Sequence, residues 1–92
     1  GTPLDVIVEC RNQEEIKAAL PFPCVNRILL DNFSPEELKK AVALIDGKKD
    51  TEASGNITEK NLEQYAVTGV NYLSLGALTY DAKSMDLSLK AL

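Results

Sequence analysis

Ninety-two residues, 45% hydrophobic and 26% charged, suit one small globular domain or a piece of a larger one, and exclude disordered or collagen-like sequence. A net charge of -4 offers nucleic acid or an anionic membrane no general field, and no apolar run approaches the roughly 18 residues of a membrane span. Without His, and with only Cys10 and Cys24, a Cys/His zinc site has too few ligands.

The two cysteines can pair, but the expected state is the reduced thiols of a cytoplasmic protein. No basic and apolar leader pattern opens the chain, so a signal peptide is not expected.

Along the chain, Leu4 to Glu9 carries the β-branched run Val6-Ile7-Val8, which reads as a strand buried on both faces. Asn12 is an N-cap for a helix with Ile16, Ala19 and Leu20 at helical spacing, stopped by Pro21 and Pro23. A second strand runs from Asn26 to Asp31. Ser34 and Pro35 open a helix with the apolar stripe Leu38, Val42 and Ile45, closed by Gly47.

Lys49 to Ser54 has little β-propensity and reads as a strand only from its place between two helices. Thr58 is expected to cap the next helix, with Leu62, Tyr65 and Ala66 facing inward and Gly69 ending it. Asn71 to Leu75 is the fourth strand. Leu78 to Lys83 reads as a short helical turn and Leu87 to Leu89 as a short extended piece.

This rhythm means parallel βα units. Polar residues end the strands at Glu9, Asp31, Glu52 and Ser74, at intervals of 22, 21 and 22 residues. An α/β barrel has eight strands over about 250 residues, so four units read as part of an open barrel, with a complete doubly wound domain as the competing reading.

Ligands of parallel α/β folds bind at the carboxyl ends of the strands. Glu9 and Asp31 there suit a hydrated Mg2+ or sugar hydroxyls, or else cap helices and pair with neighbours. Ser54-Gly55-Asn56 before a helix, and Gly76-Ala77 one strand later, are small turns whose N–H groups can surround a phosphate. A plain βα loop has the same composition. Cys10 has no His to activate it, Tyr65 and Tyr72 read as core, and Lys39-Lys40 and Lys48-Lys49 as solvated faces.

In order, Val6-Ile7-Val8-Glu9, Leu30-Asp31-Asn32-Phe33, Ser34-Pro35-Glu36-Glu37, Glu52-Ala53-Ser54-Gly55, Ser74-Leu75-Gly76-Ala77-Leu78-Thr79 and Asp86-Leu87-Ser88-Leu89-Lys90 resemble the C-terminal part of the quinolinate phosphoribosyltransferases. The resemblance covers nearly the whole chain. It implies that residues 1–92 are the C-terminal portion of an open TIM-like α/β-barrel domain, about four βα units, with the N-terminal domain and first part of the barrel absent.

It also implies an activity. Quinolinate and phosphoribosyl pyrophosphate give nicotinate mononucleotide, pyrophosphate and CO2 in NAD biosynthesis, with Mg2+ and no organic cofactor. Glu9 and Asp31 would be the catalytic and metal-facing carboxylates. Ser54, Gly55, Asn56, Gly76, Ala77 and Tyr80 would hold phosphate.

Two positions depart from the family pattern: Asn56 stands where a second glycine is common, and Tyr80 where His is common. The basic residues that grip quinolinate lie elsewhere in the family, so these 92 residues alone are expected to be inactive, and the full-length protein to be a dimer or higher homo-oligomer. The alternatives are a non-catalytic half-barrel that binds a phosphorylated ligand or another subunit, and a family paralogue with another substrate.

Overall fold

Short apolar strands alternate with capped helices through residues 6–84, the span described by the computed structural model of the chain. The strands β1 (Val6–Cys10), β2 (Val25–Asp31), β3 (Asp50–Ser54) and β4 (Tyr72–Leu75) run parallel, side by side in chain order. A fifth strand, β5 (Leu78–Asp81), lies antiparallel to β4. The crossovers are α1 (Gln13–Ala19), α2 (Pro35–Ile45) and α3 (Leu62–Ala66). Crossovers of one hand put their helices on one face of a sheet, and α2 accordingly touches both α1 and α3.

The caps explain where helices begin. The Asn12 side chain accepts the Glu15 N–H at 2.9 Å, as the sequence pattern requires. At α2 the Ser34 hydroxyl accepts the Glu37 N–H at 3.2 Å, while the Glu37 carboxylate accepts the Ser34 N–H at 3.0 Å. Those bonds hold the Glu37 carboxyl below the ordinary glutamate range. Asp46 and Gly47, both with positive φ, end α2 in left-handed backbone.

One core fills the space between sheet and helices. Ile16, Leu38, Ala41, Ile45 and Tyr65 pack from the helices onto Cys10, Ile28, Leu30, Ala53 and Leu73. Alternate strand residues face the other way, and that face has no helix among the described residues. β1 is therefore not buried on both faces: Ile7 is 56% exposed and Glu9 is exposed.

Two local expectations are corrected. Thr58 does not cap α3; its N–H donates to Asn61 Oδ1 at 2.7 Å, a turn forms, and the helix starts at Leu62. Nor is Leu78 to Lys83 a helical turn. Leu78–Asp81 is strand β5, which pairs Thr79 with Ser74 and Tyr80 with Leu73, and only Ala82–Ser84 is a 3-10 turn. Gly76 has φ +62° and stands first in a two-residue hairpin loop, the place where glycine matches the strand twist. The expected pieces Leu4-Asp5 and Leu87 to Leu89 lie outside the described residues.

Candidate functional site at the carboxyl ends of the strands

Period-two alternation sorts the open face of the sheet. It carries Ile7 and Glu9 from β1, Arg27, Leu29 and Asp31 from β2, Glu52 and Ser54 from β3, Tyr72 and Ser74 from β4, and Thr79 from β5. Two polar groups form there, one above the other.

The upper group lies at the strand ends. Ser54 Oγ donates to Asp31 Oδ1 at 2.8 Å, and Asn32 Nδ2 to Asp31 Oδ2 at 3.3 Å. Asn56 Nδ2 donates to Asn32 Oδ1 at 3.1 Å, and the Asn32 N–H to the Ser54 carbonyl at 2.9 Å. Asn32, Gly55 and Asn56 all have positive φ, between 62° and 79°, so asparagine at position 56 does adopt the left-handed conformation that a glycine would. Gly55 is pressed close: a Cβ there would collide with Asn32 Oδ1 and lie 2.7 Å from Asp31 Oδ1.

That crowding has an electrostatic consequence. The Gly55 turn faces acceptor oxygens on one side, so an anion reaches it only from the opposite, amide side or together with a cation. The turn also does not run straight into a helix, because residues 57–61, folded by the Asn61 turn, intervene before Leu62. The Gly76-Ala77 turn leads into β5. Neither turn opens directly onto a helix, as their expected places before helical segments implied, so helix dipoles do not supplement these N–H groups.

The lower group crosses four strands. Arg27 Nη1 meets Glu52 Oε1 at 2.9 Å, and the guanidinium lies 3.9 Å from the centre of the Tyr72 ring. Ser74 Oγ donates to Glu52 Oε2 at 3.0 Å and is 3.1 Å from Thr79 Oγ1. Tyr65 is core as expected, but Tyr72 is half-buried on the open face beneath Arg27.

Glu9 lies on the same face as Asp31, one strand across and two residues lower in register, about 8 Å away by strand spacing and rise. Its neighbour Cys10 points into the core, where burial, then the charges of Glu15 and Glu9, push the thiol above its ordinary value. Cys10 and Cys24 are both free. Tyr80, opposite Leu73, stands on the helix side of the sheet, away from the faces of Asp31, Ser54 and Ser74.

The structure thus unites Asp31, Ser54, Gly55 and Asn56, places Glu9 beside them, and puts Gly76 and Ala77 at the tip of the neighbouring hairpin. Among the described residues no three His, Cys, Asp or Glu side chains gather as a closed metal cage. Arg27 was not singled out by the sequence, and Glu52 and Ser74 only as strand-end residues. Period-two counting back from Asp31 to Arg27 carries the missing signal.

Acidic and hydroxyl side chains with glycine turns cluster here at the carboxyl ends of parallel strands, the place where α/β domains bind their ligands. The chain belongs to the quinolinate phosphoribosyltransferase family: residues 1–90 match the family model described as "Quinolinate phosphoribosyl transferase, C-terminal domain". It is 41% identical to quinolinate phosphoribosyltransferase [decarboxylating] 2b, mitochondrial, of Nicotiana tabacum, over 95% of this chain and 29% of the relative. It is also 41% identical to the nicotinate-nucleotide pyrophosphorylase [carboxylating] of Rattus norvegicus, over 98% of this chain and 31% of the relative.

The crystal structure of the nicotinate-nucleotide pyrophosphorylase from Ehrlichia chaffeensis superposes with a TM-score of 0.71 at 41% identity, over 77% of this chain and 26% of that one. The Francisella tularensis enzyme does so with 0.71 at 39% identity, over 78% and 26%. The chain therefore spans less than a third of the length of these relatives.

Proposed function

We propose that this chain forms the phosphoribosyl pyrophosphate side of the active site of a nicotinate-nucleotide pyrophosphorylase. The full reaction joins quinolinate to the ribosyl carbon of phosphoribosyl pyrophosphate and releases pyrophosphate and CO2, leaving nicotinate mononucleotide. One observation carries the reading: the Asp31–Ser54 hydrogen bond beside the tightly packed Gly55 turn, at the carboxyl end of a parallel sheet.

In this reading Asp31 and Glu9 accept hydrogen bonds from ribose hydroxyls and stabilise positive charge growing on the ribosyl carbon as pyrophosphate leaves. Ser54 holds the Asp31 carboxylate in one orientation. The amides of Gly55, Asn56, Gly76 and Ala77 take phosphate oxygens, with Tyr80 as a further donor only if its side chain reaches round the β5 edge. Mg2+ suits the site, since it needs only one or two carboxylates besides water and phosphate oxygens; held by Asp31 and Glu9, it would neutralise the leaving pyrophosphate.

The reading further takes residues 1–92 as the C-terminal portion of the barrel domain. An N-terminal domain and the earlier barrel strands would supply the cationic groups for the quinolinate carboxylates, in a homo-oligomer. The 92 residues alone would not turn over. No described helix is long and apolar enough to cross a membrane, and the two free thiols favour a reducing compartment, proposed as the cytoplasm. Relatives named mitochondrial and chloroplastic make the same chemistry compatible with organelles.

The test replaces Asp31→Asn and Glu9→Gln in the full-length protein. Each keeps shape and removes charge. Steady-state kinetics at saturating Mg2+ should show kcat/KM for phosphoribosyl pyrophosphate lowered about 100-fold, the size of losing one fixed electrostatic contact, with the melting temperature nearly unchanged. Normal kinetics in both variants would make these carboxylates structural and sink the reading.

A further inference from the structure

The lower polar group on the open face has no part in the chemistry described above, yet it ties the hairpin to the rest of the sheet. β3 and β4 pair over only two register positions, Glu52 with Tyr72 and Ala53 with Leu73, and every residue of β5 is exposed. Bonds between Asn71 and Thr51 anchor the base of the hairpin, and backbone pairing alone holds its tip weakly. Ser74 and Thr79, paired across β4 and β5, flank the four residues 75–78 that contain the loop.

The Ser74 hydroxyl lies within hydrogen-bond distance of Thr79 on one side and donates to Glu52 on the other. Glu52 in turn is held by Arg27, with side-chain exposures of 14% and 26%, and Arg27 rests on the Tyr72 ring. The two carboxylate oxygens divide the work: Oε1 takes the guanidinium and Oε2 the serine.

We infer that Glu52 and Ser74 are positioning residues, a polar clasp that fixes the Gly76-Ala77 turn against the Ser54-Gly55-Asn56 turn so that both present their amides to one phosphate group. The inference deepens the proposed function and rests on it for the identity of the ligand. A glutamine at position 52 loses the charge that pairs with Arg27 and can meet Ser74 through Nε2 only as a donor, reversing the bond the hydroxyl makes now. An alanine at position 74 cuts the clasp, whereas a threonine keeps the hydroxyl.

The experiment compares the full-length wild type with Ser74→Ala, Ser74→Thr and Glu52→Gln. Without ligand, amide hydrogen exchange at residues 75–78 should speed up about tenfold in Ser74→Ala and Glu52→Gln and return to the wild-type rate in Ser74→Thr. With phosphoribosyl pyrophosphate, KM should rise about five- to tenfold in the first two while kcat changes less than twofold, and Ser74→Thr should restore KM.

Unchanged exchange at residues 75–78 in Ser74→Ala overturns the clasp. So does faster exchange with an unchanged KM, which would leave Ser74 a structural tie without effect on the ligand. A wild-type protein that binds no phosphoribosyl pyrophosphate, while exchange responds as described, overturns the proposed function and leaves the tether of the hairpin standing.

Discussion

A methyl group at position 55 has nowhere to go. It would point at the Asp31 and Asn32 oxygens, on backbone with φ +79° that L side chains avoid. Gly55→Ala should cost about 2 kcal/mol from conformation alone, and more from displaced Asp31. Ser54→Ala removes a single hydrogen bond and should cost about 1 kcal/mol.

Urea unfolding and phosphate titration of both variants measure this order, and a Ser54→Ala loss larger than that of Gly55→Ala would reverse it. Asp31, Ser54 and Gly55 were legible in the sequence because strand ends and glycine turns mark the binding edge of any parallel sheet. Arg27 and Tyr72 were not. An arginine within an apolar strand and a tyrosine in an apolar stripe gain meaning only when the register sets the guanidinium over the ring, two strands away.

Among the elements, α2 shows how local chemistry fixes a boundary. Ser34→Ala should lower stability by about 1 kcal/mol, the usual worth of a serine cap. The Glu37 carboxyl lies below its ordinary range because Ser34 donates to it. A depressed carboxyl stabilises the fold above its unfolded value and loses that contribution as pH falls through the folded one. The Ser34 N–H survives Ser34→Ala, so the pH-linked half is read from Glu37→Gln. Thermal melts of wild type and Glu37→Gln should differ most near neutrality and draw together as acid protonates the Glu37 carboxylate. A gap independent of pH would mean that the Glu37 half of the box contributes nothing.

β1, β2 and α2 could be read from apolar runs and caps. β3 could not be read from its own residues: Asp50-Thr51-Glu52-Ala53-Ser54 is a poor strand sequence whose Thr51 and Ala53 are nonetheless buried, and its parallel neighbours impose the conformation. β5 was misread although Gly76 opens a two-residue loop and Thr79-Tyr80 favour strand, because the βα rhythm suggested a helix at that point. α3 starts late because Asn61 folds back on Thr58 and on the Asn56 carbonyl before the helix can begin.

At the scale of the molecule, one face of the sheet is covered and the other is not. Ile7 is exposed on the open face, and among the described residues β1 has no strand on its outer edge, which lies beside a hollow of roughly 390 Å³ lined in part by Val8, Ala19, Phe22 and Val25. The 92-residue chain should self-associate in sedimentation experiments, and Ile7→Lys, which places a charge on that edge strand, should shift the population toward monomer. A monodisperse monomer melting above about 70 °C would show that the edge is self-sufficient.

The strand order β1-β2-β3-β4-β5 carries one more consequence, for how the chain acquires its shape. From β2 onward each described strand lies against the one synthesised just before it, about twenty residues back in the parallel part. None of these described strands must wait for a distant partner, so loop closure costs little at each of these steps. A chain emerging from the ribosome can add one strand and helix at a time to a growing edge, and the polar tie from Arg27 to Thr79 closes only when the last hairpin arrives. The residues that present the turn are also the ones that complete assembly.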